Sequence, residues 1–93
     1  MKRYYFIFKG QVQGVGFRFR VIQLAKKYRL SGYCKNLSNG SVEVQAQGEN
    51  KELDDFLRDI LNLQGFIQID DYVQKELEIT NEHDFVVRYW NDT

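Results

Sequence analysis

Three glycines crowd the stretch Gly10-Gln11-Val12-Gln13-Gly14-Val15-Gly16-Phe17-Arg18, between an aromatic and apolar run and an amphipathic segment with helical spacing. Those residue types in that order suit an anion cradle. Glycines let backbone N–H groups converge without Cβ obstruction, and a helix beginning just after them adds a partially positive N-terminus. The guanidinium of Arg18, at the helix entrance, can grip an oxyanion through two parallel hydrogen bonds. A phosphoryl group is the matching guest.

The charge distribution points the same way. Met1 to Val42 hold nine Lys and Arg and no Asp or Glu, whereas the chain from Glu43 onward holds four positive residues against thirteen negative ones. A formal net charge of zero therefore conceals two oppositely charged segments, and the acid-free one encloses the glycines, which favours an anionic ligand. The 93 residues, 43% hydrophobic and 15% aromatic, are enough for one domain spanning 1–93 with a modest core and too few for two. The single cysteine, Cys34, excludes an internal disulfide. No apolar run approaches a membrane span, and Lys2 and Arg3 followed by only Tyr4 to Phe8 are too short for a signal-peptide core. A cytoplasmic protein without membrane contact is expected.

The elements that must position the cradle can be read from periodicity. Tyr4 to Lys9 reads as a strand and Gly10 to Gly16 as the loop after it. Phe17, Val21, Leu24, Ala25 and Tyr28 fall at helical spacing, with Ser31-Gly32 as the stop. Two strands, Gly32 to Leu37 and Ser41 to Gln47, flank Ser38-Asn39-Gly40, and Asn-Gly is a strong hairpin signal. Asn50 suits the N-cap of a second helix striped by Leu53, Phe56, Leu57, Ile60 and Leu61 and ending near Gly65. Ile67 to Glu78 and Phe85 to Trp90 supply a fourth and a fifth strand. The βαββαβ order predicts an α+β, ferredoxin-like sandwich: an antiparallel sheet with both helices on one face. Neither the helices nor the sheet calls for a partner subunit, so a monomer is expected.

With these elements in place, the chain resembles the acylphosphatases. Gly10 to Arg18 is similar to that family's first signature, G-x-V-Q-G-V-x-F-R, and Gly32-Tyr33-Cys34-Lys35-Asn36 with Gly40, Val42 and Gly48 is similar to its second. Phe85-Val86-Val87-Arg88-Tyr89 resembles the closing strand, so the likeness spans nearly the whole chain. Phe8 in place of an aliphatic residue, Asn39 before Gly40 where Asp is frequent, and the lack of a proline before the fourth strand are departures. The resemblance implies hydrolysis of a small-molecule acyl phosphate to a carboxylate and inorganic phosphate, with Arg18 binding phosphate and Asn36 positioning water.

The chemistry of the residues is compatible with that implication. A carboxylate leaving group has a conjugate acid of pKa roughly 4, so it departs without a protonating acid. What is needed is positioning and charge stabilisation. Arg18 can take two phosphoryl oxygens while the backbone N–H groups of Gln13, Gly14, Val15, Gly16, Phe17 and Arg18 bind the rest, and the Asn36 amide can orient a water molecule. No metal-ligand cluster or cofactor motif is visible, and a reaction without metal or cofactor is expected. Cys34 reads as a small buried hydrophobe, His83 as a solvent-exposed loop residue, and the pairs Asp54-Asp55 and Asp70-Asp71 as surface charges. The same architecture serves RNA-binding modules, but Ser41 to Gln47, the central third strand, has no aromatic for base stacking and places Glu43 there, so no nucleic-acid partner is expected. A non-catalytic sensor of a phosphorylated metabolite remains a further reading, separated from an enzyme by turnover.

Overall fold

The computed structural model describes residues 1–89 and orders them as β1 (Lys2–Gln11), α1 (Phe17–Lys27), β2 (Ser31–Asn36), β3 (Val42–Gly48), α2 (Asn50–Leu61), β4 (Gln68–Leu77) and β5 (Phe85–Arg88). Trp90, at the end of the expected fifth strand, lies outside the described residues. The strands form one sheet in the order β4-β1-β3-β2-β5. Alternation sets its two faces. Phe6 and Phe8 of β1, Cys34 of β2, Val42, Val44 and Ala46 of β3 and Phe85 of β5 are buried on one face, against Phe17, Val21 and Ala25 of α1 and Leu53, Phe56 and Ile60 of α2. The helical residues recur at i, i+3 and i+4, so each helix presents a single apolar stripe to the sheet. The edge-to-face contact of Phe8 with Phe17, 5.6 Å between centroids, joins β1 to the first turn of α1. The α+β ferredoxin-like sandwich expected from the sequence is therefore the observed architecture.

The sheet is mixed rather than wholly antiparallel. β1 pairs antiparallel with β3 and β4, and β2 pairs antiparallel with β3, but β5 pairs parallel with β2. The connection after β4 explains the difference. β4 ends beside the start of β1, with Leu77 opposite Arg3. The chain then crosses that end of the sheet, where Thr80 receives and makes hydrogen bonds with the Gln47 side chain at 2.8 Å and Glu82 meets the buried Arg3 guanidinium at 3.0 Å. It reaches the far edge at the end where β2 begins, the Asp84 carbonyl accepting from Gly32 N–H at 2.9 Å, and can only run alongside β2 in the same direction.

Three local expectations shift. Gly10 and Gln11 belong to β1 rather than to the loop. At Gly10 the register with β4 slips by one residue, and a Cβ there would lie 2.2 Å from the Gln68 carbonyl oxygen, so the close approach of the two strands requires its absence. Helix α2 is preceded by Glu49, in extended conformation, and Asn50 is its first residue rather than its cap. Helix α1 ends at Lys27, before Ser31-Gly32, because Arg29 adopts φ 57. Arg29 N–H bonds to the Lys26 carbonyl at 3.2 Å and Leu30 N–H to the Ala25 carbonyl at 2.8 Å, while Leu30 turns into the core. This is a Schellman stop with arginine in the position that glycine normally fills.

A left-handed arginine carries steric strain that glycine lacks. Replacing Arg29 by glycine should raise unfolding stability by about 0.5–1 kcal/mol, read as a later urea midpoint at unchanged m-value. An earlier midpoint would mean that the arginine side chain contributes more than its backbone costs.

Candidate active site

The segment between β1 and α1 is anchored at both ends. Val12 and Phe17 are each 1% exposed, and the backbone between them is pinned to the core by these two side chains. Gly14 and Gly16 adopt φ 74 and φ 80, left-handed values at alternate residues. Such backbone can aim successive N–H groups at a common point. Gly16 is also the N-cap residue of α1, where no side chain caps the helix and no acidic residue occupies the first turn. The first intrahelical bond of the turn is Arg20 N–H to the Gly16 carbonyl at 3.2 Å, leaving the preceding N–H groups without helical acceptors. The result is an uncapped, unneutralised helix start behind a glycine-rich loop.

Gln13 ties this loop to the β2–β3 turn. Its side-chain Nε2 donates to the carbonyl oxygens of Leu37 and Ser41, both at 2.8 Å. Those two residues also bond each other, Leu37 N–H to the Ser41 carbonyl at 2.8 Å, and the Leu37 carbonyl accepts from Gly40 N–H at 3.2 Å. The side chain of Gln13 is thus engaged with the hairpin, and what it can offer an anion is its backbone N–H.

Asn36 ends β2 immediately before that turn, opposite Val42 of β3. It is half-buried, and its Oδ1 is fully buried without a hydrogen-bond donor among the described residues. Buried acceptors in folded proteins almost always have a partner, so this oxygen stands out as an acceptor with unused capacity. Asn36 shares a face of β2 with Cys34, whose Sγ lies 4.0 Å from the carbonyl oxygen of Arg18. The first turn of α1 therefore passes over the same face of β2 that carries Asn36.

The Arg18 side chain is half-buried and makes no ion pair among the described residues. Its guanidinium carbon lies over the ring of Tyr89, 5.9 Å from the centroid. Continuing the pairing of Lys35 with Arg88 by one residue sets Tyr89 level with Asn36. Tyr89 is a neighbour of Arg18 to which the sequence assigns no role beyond a place at the end of the closing strand, because the edge and direction of that strand are set by the preceding crossover. The loop of Gln13, Gly14, Val15, Gly16 and Phe17, the Arg18 side chain and Asn36 are gathered at one end of the sheet. Among the described residues no group of three or more His, Cys, Asp or Glu is placed to hold a metal ion. A depression of about 660 Å³ lined by Met1, Lys2, Glu76, Leu77, Glu78 and Ile79 lies at the opposite end, away from this chemistry.

The acylphosphatase family pattern matches residues 4–87. An acylphosphatase of Methanospirillum hungatei is 42% identical over 89 residues, covering 95% of this chain and 98% of the relative. One from Clostridium acetobutylicum is 39% identical over 90 residues, covering 96% and 99%. The crystal structure of acylphosphatase from Bacillus subtilis superposes with a TM-score of 0.92 at 36% identity, over 96% of this chain and all of that one.

Two further residues, His83 and Cys34, carry side chains of reactive type. His83 is exposed in the crossover at the other end of the sheet, next to Asp84, whose carbonyl meets the start of β2. Cys34 is fully buried, and burial pushes its thiol up to about 11 even though the nearby Arg18 cation pulls it down. The thiolate, which is the reactive form, is scarce at neutral pH. Iodoacetamide at pH 8 should leave the folded protein unmodified over hours and alkylate it rapidly in denaturing urea, by intact mass. Fast modification of the folded chain would show that the thiol is reachable.

Proposed function

Because the chain belongs to the acylphosphatase family, its reaction is the hydrolysis of the carboxyl–phosphate bond of an acyl phosphate, and we propose that Arg18 and Asn36 carry it on a phosphoryl group seated in the 13–18 loop. The guanidinium takes two phosphoryl oxygens in a bidentate grip, and backbone N–H groups of the loop and of the first helical turn take the remaining negative charge. Asn36 Oδ1 accepts a hydrogen from a water molecule and so turns a lone pair toward phosphorus, opposite the acyl oxygen. As the water oxygen bonds to phosphorus, the bond to the acyl oxygen breaks and its electron pair leaves on the carboxylate. The water proton passes to a phosphoryl oxygen. The leaving carboxylate, with a conjugate acid of pKa roughly 4, needs no acid from the protein.

The observation that supports this reading most is the buried, donorless Oδ1 of Asn36 on the strand face crossed by the first turn of α1. A merely structural asparagine at a strand end would have its carbonyl satisfied by the chain. The uncapped start of α1, with no acid in its first turn, supports the anion side of the reading.

The direct test is release of inorganic phosphate from a small acyl phosphate, with and without a chelator. Turnover should be present and unaffected by exhaustive chelation. Loss on chelation with rescue by Mg²⁺ would remove the metal-free mechanism, and phosphate binding without turnover would favour a sensor.

Two substitutions separate the roles. Asn36→Ala should lower kcat by about 10² or more with little change in the inhibition constant of inorganic phosphate, because one preorganised polar group is lost while the loop stays whole. Arg18→Lys keeps the charge but not the planar fork, so activity should collapse and phosphate inhibition weaken, while stability moves by no more than about 0.5 kcal/mol. Near-normal turnover in Arg18→Lys would refute a bidentate grip.

A further inference from the structure

The aromatic ring beneath the Arg18 guanidinium has no place in the chemistry described so far. Arg18 extends from the first turn of α1 with no carboxylate among the described residues to fix it, and a guanidinium free to rotate would have to be ordered each time an anion arrived. We propose that Tyr89 is a positioning residue for Arg18: its ring face holds the guanidinium at the mouth of the 13–18 loop and leaves the N–H fork to a phosphoryl ligand. This rests on the reading of Arg18 as the phosphoryl clamp.

The choice of an aromatic partner has a physical logic. A carboxylate placed beside Arg18 would occupy the same in-plane N–H donors that the ligand needs and would cancel the charge that attracts it. A ring attracts the cation through its quadrupole, forms no hydrogen bond with those donors and adds no negative charge. The observed 5.9 Å separation is within the range of such contacts. Tyr89 is also in the right place by construction. β5 runs parallel to β2 and pairs Arg88 with Lys35, so continuing the alternation by one residue sets Tyr89 level with Asn36, on the face shared by Phe85 and Val87, which is the face α1 covers. A fifth strand in the opposite direction would have delivered its beginning, not its end, to this site.

The experiment is calorimetric titration of inorganic phosphate into the full chain and into Tyr89→Leu, Tyr89→Phe, Arg18→Ala and the Arg18→Ala/Tyr89→Leu pair. Tyr89→Leu should weaken phosphate binding about two- to fivefold, the factor that an exposed cation–π contact supplies, and Tyr89→Phe should bind as the parent does. In the Arg18→Ala background, Tyr89→Leu should change nothing further, because its effect passes through the guanidinium. A merely structural tyrosine would lose affinity equally with and without Arg18. Parent-like binding by Tyr89→Leu, equal loss in Tyr89→Phe, or a loss that persists without Arg18 would each overturn the proposal while leaving the clamp intact. Parent-like binding by Arg18→Ala would instead remove the clamp itself, and the role of Tyr89 with it. At 60% exposure Tyr89 is not part of the core, and melting temperatures of the variants are expected within a few degrees of the parent.

Discussion

Both N–H groups of one carboxamide, that of Gln13, are committed to the carbonyl oxygens of Leu37 and Ser41. Each such bond contributes on the order of 1 kcal/mol net, a modest amount beside the core, yet they are the direct polar link between the glycine loop and the hairpin. Without that link, a loop containing two left-handed glycines would be free to sample many conformations, since glycine loses more freedom on ordering than any other residue. The same two carbonyls close the turn that follows Asn36, so the glycine loop and the amide at the end of β2 share one set of hydrogen bonds. The distance between the glycine loop and the end of β2 is thereby set by a single side chain.

A second constraint acts from the far end of the sheet. Arg3 is 2% exposed on the face away from the helices, where it donates to Gln45 Oε1 at 2.9 Å, to Glu82 Oε2 at 3.0 Å and to Gln47 Oε1 at 3.4 Å. A buried guanidinium is tolerated only when its donors are matched, and removing one partner leaves a costly charge behind. Glu82 also lies 3.9 Å from Arg88, whose guanidinium sits over the Tyr33 ring, and Tyr33 donates to Glu43 at 2.6 Å. This chain of contacts uses the charge asymmetry of the sequence internally at one point, where Arg3 of the acid-free segment meets Glu82 of the acidic one. It holds the crossover and β5 against the sheet, and so decides where the end of β5 arrives.

How far the sequence could be read depended on whether an element was determined locally. The stripe of α2, the Asn39-Gly40 turn and the alternation of Val42, Val44 and Ala46 are short-range patterns, and each element formed where its pattern lies. The glycine loop before Arg18 was legible for the same reason, as was its nearness to Asn36 once the strand order was known. The parallel pairing of β5 was not, because it depends on which end of the sheet the 78–84 segment crosses, and that is settled by Arg3, Gln47 and Glu82 together. Arg29 hid the end of α1, since left-handed backbone at a non-glycine residue has no compositional mark. The tether from Gln13 and the ring of Tyr89 escaped notice because each is a contact between segments far apart in the chain.

The glycines of the molecule also differ in what they would permit over evolutionary time. At Gly10 an added methyl would collide with backbone of β4, which no neighbouring side-chain adjustment can relieve. At Gly14 and Gly16 nothing lies within 4 Å of where that methyl would stand, and the obstacle is only the handedness of the backbone. An asparagine, which tolerates left-handed backbone far better than most residues, could occupy either at a modest conformational cost. Within the 10–16 glycine pattern, the loop positions Gly14 and Gly16 are thus the more substitutable, and Gly10, inside the strand, is the one with no alternative.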